Sequence, residues 1–433
     1  MSDLSYVRKE MLSQQAAPST SVGVIGWMRE NLFSSWLNGL LSLVALYLVY
    51  SVLSAILPWV FHSSWTANSL QECRQQISTA YGPDAHGACW AVIRERYLQL
   101  IFGFYPSELY WRPILAFGLA LLALAPVLFT GLPRKMLQGS LAAPFLVPWL
   151  LWGGSFWIPV SAALGFVLGY VAFRVVSSLA GSLLGLIAAV AAAVIWWLTL
   201  ASAWVGVMDG VIPLGIEAIS SRNFGGFMLS ITIGLVAITV SLPIGVMLAL
   251  GRQSNLIIVR AICVGFIEFI RGVPLITLLF VASVLLNYFL PPGTDFDIIL
   301  RVIIMVTIFA SAYMAEVVRG GLAALPKGQY EAADALGLDY WKAQRLIIMP
   351  QALKISIPVI VSTFIGVFKD TTLVSIIGLL DPLGLSNAIR ANAAWNGVVW
   401  ELYGFIAFMF FVFCFSMSRY SMYLERKLRT EHR

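Results

Sequence analysis

The chain has 433 residues, 60% of them hydrophobic and 11% charged, with a mean hydropathy of +0.86. That composition excludes a soluble globular domain, and it assigns the net charge of +6 to loops between membrane spans rather than to a nucleic-acid-binding face. No G-x-x-x-x-G-K-[ST] run occurs, so the chain cannot cradle ATP by that means, and His62, His86 and His432 form no metal or nucleophile constellation.

In chain order, residues 1–35 are mostly polar, carry Arg8, Lys9 and Arg29, and lack the apolar centre of a cleavable signal. They are expected on the inner side. Residues 36–61 read as the first span. The polar stretch 62–110, the longest outside the membrane, is expected on the opposite side, where Cys73 and Cys89 form either a disulfide or two unrelated thiols. Cys263 and Cys414 lie in apolar spans and read as small buried hydrophobes. A second span at about 112–129 leads into Pro133, Arg134 and Lys135, an inside-type loop. The nearly continuous apolar run 141–208 has room for three spans, at about 141–158, 160–177 and 179–207, or for two and a re-entrant piece. Residues 209–222 read as an amphipathic segment on the outer surface, closing an N-terminal membrane region at 36–223.

From Phe224 onward the chain reads as a unit of five spans, at about 226–250, 256–290, 298–320, 352–374 and 399–418. The second of these is long and broken at Gly272 and Pro274, which remove a hydrogen-bond donor and add backbone freedom. Basic residues at Arg252 and Arg260 and in the tail 426–433 place the start of this unit outside and its end inside. The expected fold is therefore all-α and polytopic, with about ten transmembrane helices and both termini cytoplasmic.

The longest polar interruption of the C-terminal half is 323–350. Pro326, Lys327 and Gly328 break the incoming helix, and residues 329–336 are good helix formers, with Ala332, Ala333 and Ala335 as a narrow face. Gly337 suits the left-handed position that ends a helix, Asp339 can cap a second short helix, and Pro350 can sit in the first turn of the next span.

The pattern Glu331-Ala332-Ala333, three residues, Gly337, nine residues, Ile347-Ile348-Met349-Pro350 resembles the EAA loop in the membrane subunits of bacterial binding-protein-dependent ABC importers. Met349 departs mildly from the usual Ile-x-Leu-Pro ending. The segment Glu268-Phe269-Ile270-Arg271-Gly272-Val273-Pro274-Leu275 resembles E-F-x-R-G-x-P-L of the polar amino acid permeases. Residues 315–321 and 369–373 are similar to two further motifs of that subfamily. The resemblance covers 224–425, and the long N-terminal part is similar to the larger permease subunits of general L-amino-acid or glutamate/glutamine/aspartate/asparagine uptake systems. It implies a five-helix permease core in the bacterial inner membrane, taking up polar L-amino acids. By the same resemblance, Glu331, Ala332, Ala333, Asp334 and Gly337 form a coupling helix for a separate ATPase, which holds the ATP and magnesium. The chain itself is then expected to hold no cofactor or metal and to be no enzyme. Its implied partners are that ATPase, a second and different permease subunit, and a periplasmic amino-acid-binding protein; the 62–110 loop is then periplasmic.

Glu268, Glu316, Lys369 and Asp370 lie in or at the edge of apolar spans, where each is costly unless it faces a polar pathway or a partner charge. With Thr371 and Thr372 they are candidates for a pathway carrying zwitterions. The alternative for the glutamates is structural pairing at i,i+3, Glu268 with Arg271 and Glu316 with Arg319. A different class of function stays open on the residues alone: a proton- or sodium-coupled carrier using Glu268, Glu316 and Asp370 as proton sites. The absence of an internal inverted repeat speaks against it.

Overall fold

The structure, a computed structural model, describes residues 23–129, 131–285 and 297–430. The segment expected at 1–35 is covered only from residue 23, the span expected to reach 290 is described to 285, and residues 431–433 of the tail lie outside the described residues. Two compact units separate at residue 91.

In the first unit, α1 (Gly23–Asn31) precedes α2 (Trp36–Phe61), whose N-terminus is capped by Ser35 accepting from the Asn38 N–H. The polar stretch after α2 folds into α3 (Leu70–Tyr81). Ser69 accepts from the Glu72 N–H at 3.2 Å, and Glu72 reaches back to the Asn68 N–H at 2.9 Å, which satisfies one open donor of that helix start and the N–H just before its cap. Cys73 and Cys89 are buried and disulfide-bonded, with Cα atoms 5.9 Å apart. A small domain with few buried apolar residues gains its rigidity from such a staple.

The second unit opens with α4 (Ala91–Phe102), which starts at the boundary, and α5 (Trp111–Leu128). The run expected to hold three spans contains α6 (Leu137–Trp152), α7 (Trp157–Ala180) and α8 (Ser182–Ile195). The last continues through a widened π-type turn into α9 (Ala201–Val211). Asp209 stays inside α9 because it accepts from the Ser155 hydroxyl at 2.7 Å. The segment read as amphipathic at 209–222 begins in the last residues of this helix and then forms β2 (Gly215–Ile216), antiparallel to β1 (Gly154–Ser155).

Among the described residues, eight helices are long and apolar enough to cross a membrane, nine if a bent pair counts as one span. The remaining member of the expected ten is α6. Its 16 residues rise about 24 Å, short of the roughly 30 Å of hydrocarbon, yet it runs antiparallel along α5. The Ser140 hydroxyl donates to Ala123 O, and the Arg112 guanidinium donates to Leu150 O.

The remaining elements are α10 (Gly226–Arg252), α11 (Ile257–Gly272), α12 (Leu275–Phe280), α13 (Ile298–Ala323), α14 (Lys327–Ala335), α15 (Tyr340–Ala343), α16 (Met349–Asp370), α17 (Pro382–Arg390) and α18 (Trp400–Thr430). Helices α11 and α12 form the bent pair, meeting at 99° across Val273 and Pro274. Helices α10 and α13 run parallel, with α16 antiparallel to both. One apolar cluster joins the first halves of α10 and α13, with Leu229, Ile233, Ile299, Val302 and Val306. Another joins their second halves to the start of α16, with Ala249, Met314, Val318, Ile348 and Ala352. This alternation gives the core two ends: a loop end, where the stretch from Leu325 to Ile348 emerges, and a far end, where α10 and α13 begin.

Candidate functional site

At the loop end, Pro326 cannot continue α13 and takes the position before α14. Gly337 stops α14 at φ +68°. The Gly337 N–H donates to Asp334 O and the Leu338 N–H to Ala333 O, which satisfies two carbonyls left open by the helix. Asp339 caps α15 by accepting from the Lys342 N–H at 3.0 Å, and its carboxyl lies below the usual range because of that bond and the Lys342 ammonium 2.9 Å away. A π-type turn, Gln344–Ile348, carries the chain into α16, with Pro350 in its first turn.

The three alanines do not share one face. Ala333 is buried, while Ala332 and Ala335 are exposed together with Glu331, Asp334 and Gly337. Neither Glu331 nor Asp334 makes an ion pair among the described residues. Beside them Leu336, Tyr340, Trp341 and Leu346 are 74%, 52%, 70% and 64% exposed, a concentration of apolar surface that a polar loop does not need for its own fold. The loop is nonetheless firmly rooted. The Gln351 amide donates to Gln329 Oε1 at 3.0 Å, tying α14 to α16. The Ser356 hydroxyl donates to Val317 O at 3.3 Å, and a Cβ on Gly321 would lie 2.5 Å from Ala352 O, so α13 and α16 touch backbone to backbone.

One turn inward lies a group of charges drawn from three spans. The Arg252 guanidinium donates to Glu268 Oε1 at 3.0 Å and to Glu316 Oε1 at 2.5 Å. Arg319 pairs with Glu316 at 3.0 Å, and Arg271 approaches the same carboxylate at 3.7 Å while lying 5.6 Å above the Tyr313 ring. Of the two pairs expected from i,i+3 spacing, Glu316–Arg319 forms. Glu268 pairs with Arg252 of α10 instead of Arg271. Spacing along one helix identifies residues on one face, but the third partner arrives from another span. Arg252, read in the sequence only as a loop charge, is the residue that reasoning missed.

Lys369, Asp370, Thr371 and Thr372 lie elsewhere. Phe368 meets α10 at Gly234, whereas Met314 meets it at Gly245; those levels are about 16 Å apart along the helix. Lys369 is exposed, Asp370 half-buried and Thr371 fully buried, and the two hydroxyls donate to Phe368 O and Lys369 O. The pathway candidates thus form two groups, and Glu316 is already shared among three arginines.

At the far end, buried Arg112 donates to Leu150 O at 2.9 Å and to Glu217 O at 2.8 Å, and Tyr105 donates to Leu151 O at 2.9 Å. The Trp152 indole donates to the Ser221 hydroxyl, which donates to Asp297, the cap of α13. Asp381, fully buried, caps α17 by accepting from Leu383 and Gly384 N–H groups; burial pushes its carboxyl up to about 6 against the pull of those bonds. No sequence spacing marked Arg112, because its partners lie far along the chain, whereas Asp381 followed by Pro382 is a local cap signal that went unread. Cys263 and Cys414, expected to be buried, are half-exposed on the spans.

Residues 241–430 match the family described as "Binding-protein-dependent transport system inner membrane component". The glutamate/glutamine/aspartate/asparagine transport system permease protein BztC of Rhodobacter capsulatus is 57% identical over the whole of both chains. The inner membrane amino-acid ABC transporter permease protein YhdY of Escherichia coli is 38% identical over 98% of each. A solved structure described as "Crystal structure of an amino acid ABC transporter with histidines" covers 46% of this chain and 91% of its own, at 30% identity and a TM-score of 0.42.

Proposed function

Because the chain belongs to the amino-acid ABC transporter permeases, membrane components of binding-protein-dependent transport systems, we propose that it carries polar L-amino acids inward across the bacterial inner membrane, driven by a separate ATPase docked on the Glu331–Gly337 helix. Both termini face the cytoplasm, and ATP and magnesium sit on that partner. A second, different permease subunit completes the pathway, and a periplasmic amino-acid-binding protein delivers the substrate. The 57% identity to a glutamate/glutamine/aspartate/asparagine permease supports acidic amino acids and their amides as the class carried. Lys369 and Asp370, of opposite charge at the end of α16, are the charged pathway candidates free of the arginine group, with Thr371 and Thr372 beside them.

The observation that carries this reading is the contrast within the loop: α14 exposes two carboxylates without an ion pair among the described residues, and the residues that follow it expose Leu336, Tyr340, Trp341 and Leu346, yet the roots of the loop are bound to α13 and α16. Such a surface suits a protein partner, and such roots suit the transfer of force. The test is purification from native membranes in mild detergent, with mass spectrometry of what accompanies wild type and Gly337→Val. A β-branched residue at φ +68° spoils the elbow. An ATPase that accompanies wild type and is lost from the variant supports the reading. No ATPase with either protein sinks it.

A further inference from the structure

Resting on that reading, the geometry points to Arg252 as a positioning residue for coupled transport: it is the clasp by which movement of the loop is passed from α13 to α11. At the loop end α13 and α16 behave as one body, since their backbones touch at Gly321 and Ala352 and the Ser356 hydroxyl donates to Val317 O. A Cβ on Gly245 would lie 2.7 Å from Met314 Cβ, so α10 is pressed directly on that body. Helix α11 also packs on them, through buried Ile267 and a close approach of Cys263 to Gly251, but it alone adds a joint and exchangeable ties. Its chain bends by 99° straight after Gly272, where Pro274 offers no donor, and space beside Gly272 is open. The ion pairs it makes among the described residues are Glu268 with Arg252 and Arg271 with Glu316. A helix whose last turns, next to a broken joint, are tied by ion pairs can shift there when those pairs are remade.

The composition of the group makes remaking inexpensive. Facing one another from α10, α11 and α13 are three guanidiniums and two carboxylates, with the Tyr313 ring beneath Arg271. Glu316, the less exposed carboxylate, keeps Arg319 and Arg271 when Arg252 leaves. Glu268 has a side chain 54% exposed, so on release it is not enclosed by protein. No step strands an unpaired charge inside the protein, the outcome that makes breaking a buried pair costly. Arg252 alone touches carboxylates on both neighbouring spans, which singles it out from Arg271 and Arg319.

The experiment uses the assembled transporter, this permease with its ATPase, second permease and binding protein, in proteoliposomes, recording labelled amino acid taken up and ATP hydrolysed together. Arg252→Gln is expected to keep the complex and the half-saturating concentration of loaded binding protein, while substrate moved per ATP falls at least fivefold. Arg252→Lys, which keeps the charge but loses the two-pronged reach, is expected to lie between. Glu268→Gln, an exposed change that leaves Glu316 paired, is expected to reproduce the loss and serves if Arg252→Gln fails to assemble. Wild-type ratios in both Gln variants would overturn the assignment. Wild type that takes up nothing with ATP would overturn the underlying reading before any variant is made.

Discussion

The two ends of the structure around the permease core are braced by different polar contacts. Both have close glycine approaches, but at the loop end the bonds are half-exposed ion pairs, and at the far end they are a fully buried cap at Asp381 and side chains bonded to backbone carbonyls. Arg252 has a choice of carboxylates, whereas Arg112 has fixed carbonyls of Leu150 and Glu217. An end whose bonds are interchangeable can change shape at low cost; an end whose polar groups are satisfied only in one arrangement cannot. The comparison assigns rigidity to the far end and motion to the loop end.

The largest effect is expected at the far end. Gly226 has φ +59°, and a Cβ there would lie 2.1 Å from Leu100 O, while its own N–H donates to Leu380 O at 2.7 Å. Gly226→Ala should cost about 3 kcal/mol or more, seen as loss of folded protein in detergent; a variant that melts like wild type would deny that this end is rigid. Next comes Asp381. Because its folded carboxyl is raised to about 6, the native state holds a proton that the unfolded chain has released, so stability falls as pH rises from about 4 to 6. Asp381→Asn keeps a cap and removes the charge, and should abolish that slope, gaining about 3 kcal/mol relative to wild type at pH 7.5. Thermal melts at pH 5 and 7.5 read both.

Effects at the loop end should be smaller in stability and larger in coupling. Gly321→Ala forces α13 from Ala352 O and should cost about 2 kcal/mol, with substrate moved per ATP falling further than the melting temperature suggests. At Gly337 the loss should be about 1 kcal/mol for Ala and less for Asn, which tolerates the left-handed region. ATPase retained on a column should follow the same order, Gly above Asn above Ala.

The sequence was most legible where one residue type has one physical use. Pro326, Gly337, Asp339 and Pro350 mark turns and caps that depend on neighbours within four positions, and all four occupy such places in the fold. The break at Gly272 and Pro274 was readable for the same reason, though nothing local sets its 99°. What was not legible depends on packing between distant segments. Arg252 finds Glu316 across 64 positions and Arg112 finds Glu217 across 105, and hydropathy cannot tell α6, 16 residues long, from a full span. Ala332 and Ala335 turn outward because, one and two residues from buried Ala333, they lie roughly 100° and 200° round the helix from it.

The most direct test of the account is a cross-link. With Cys263 and Cys414 replaced by alanine, Ala335→Cys on the exposed face of α14 is treated with a short thiol-reactive bifunctional reagent in inside-out native membranes. The account predicts one principal adduct, containing the ATPase, whose yield changes when ATP is trapped on that subunit. An intact complex that gives no adduct at position 335, while other exposed positions react, would contradict it.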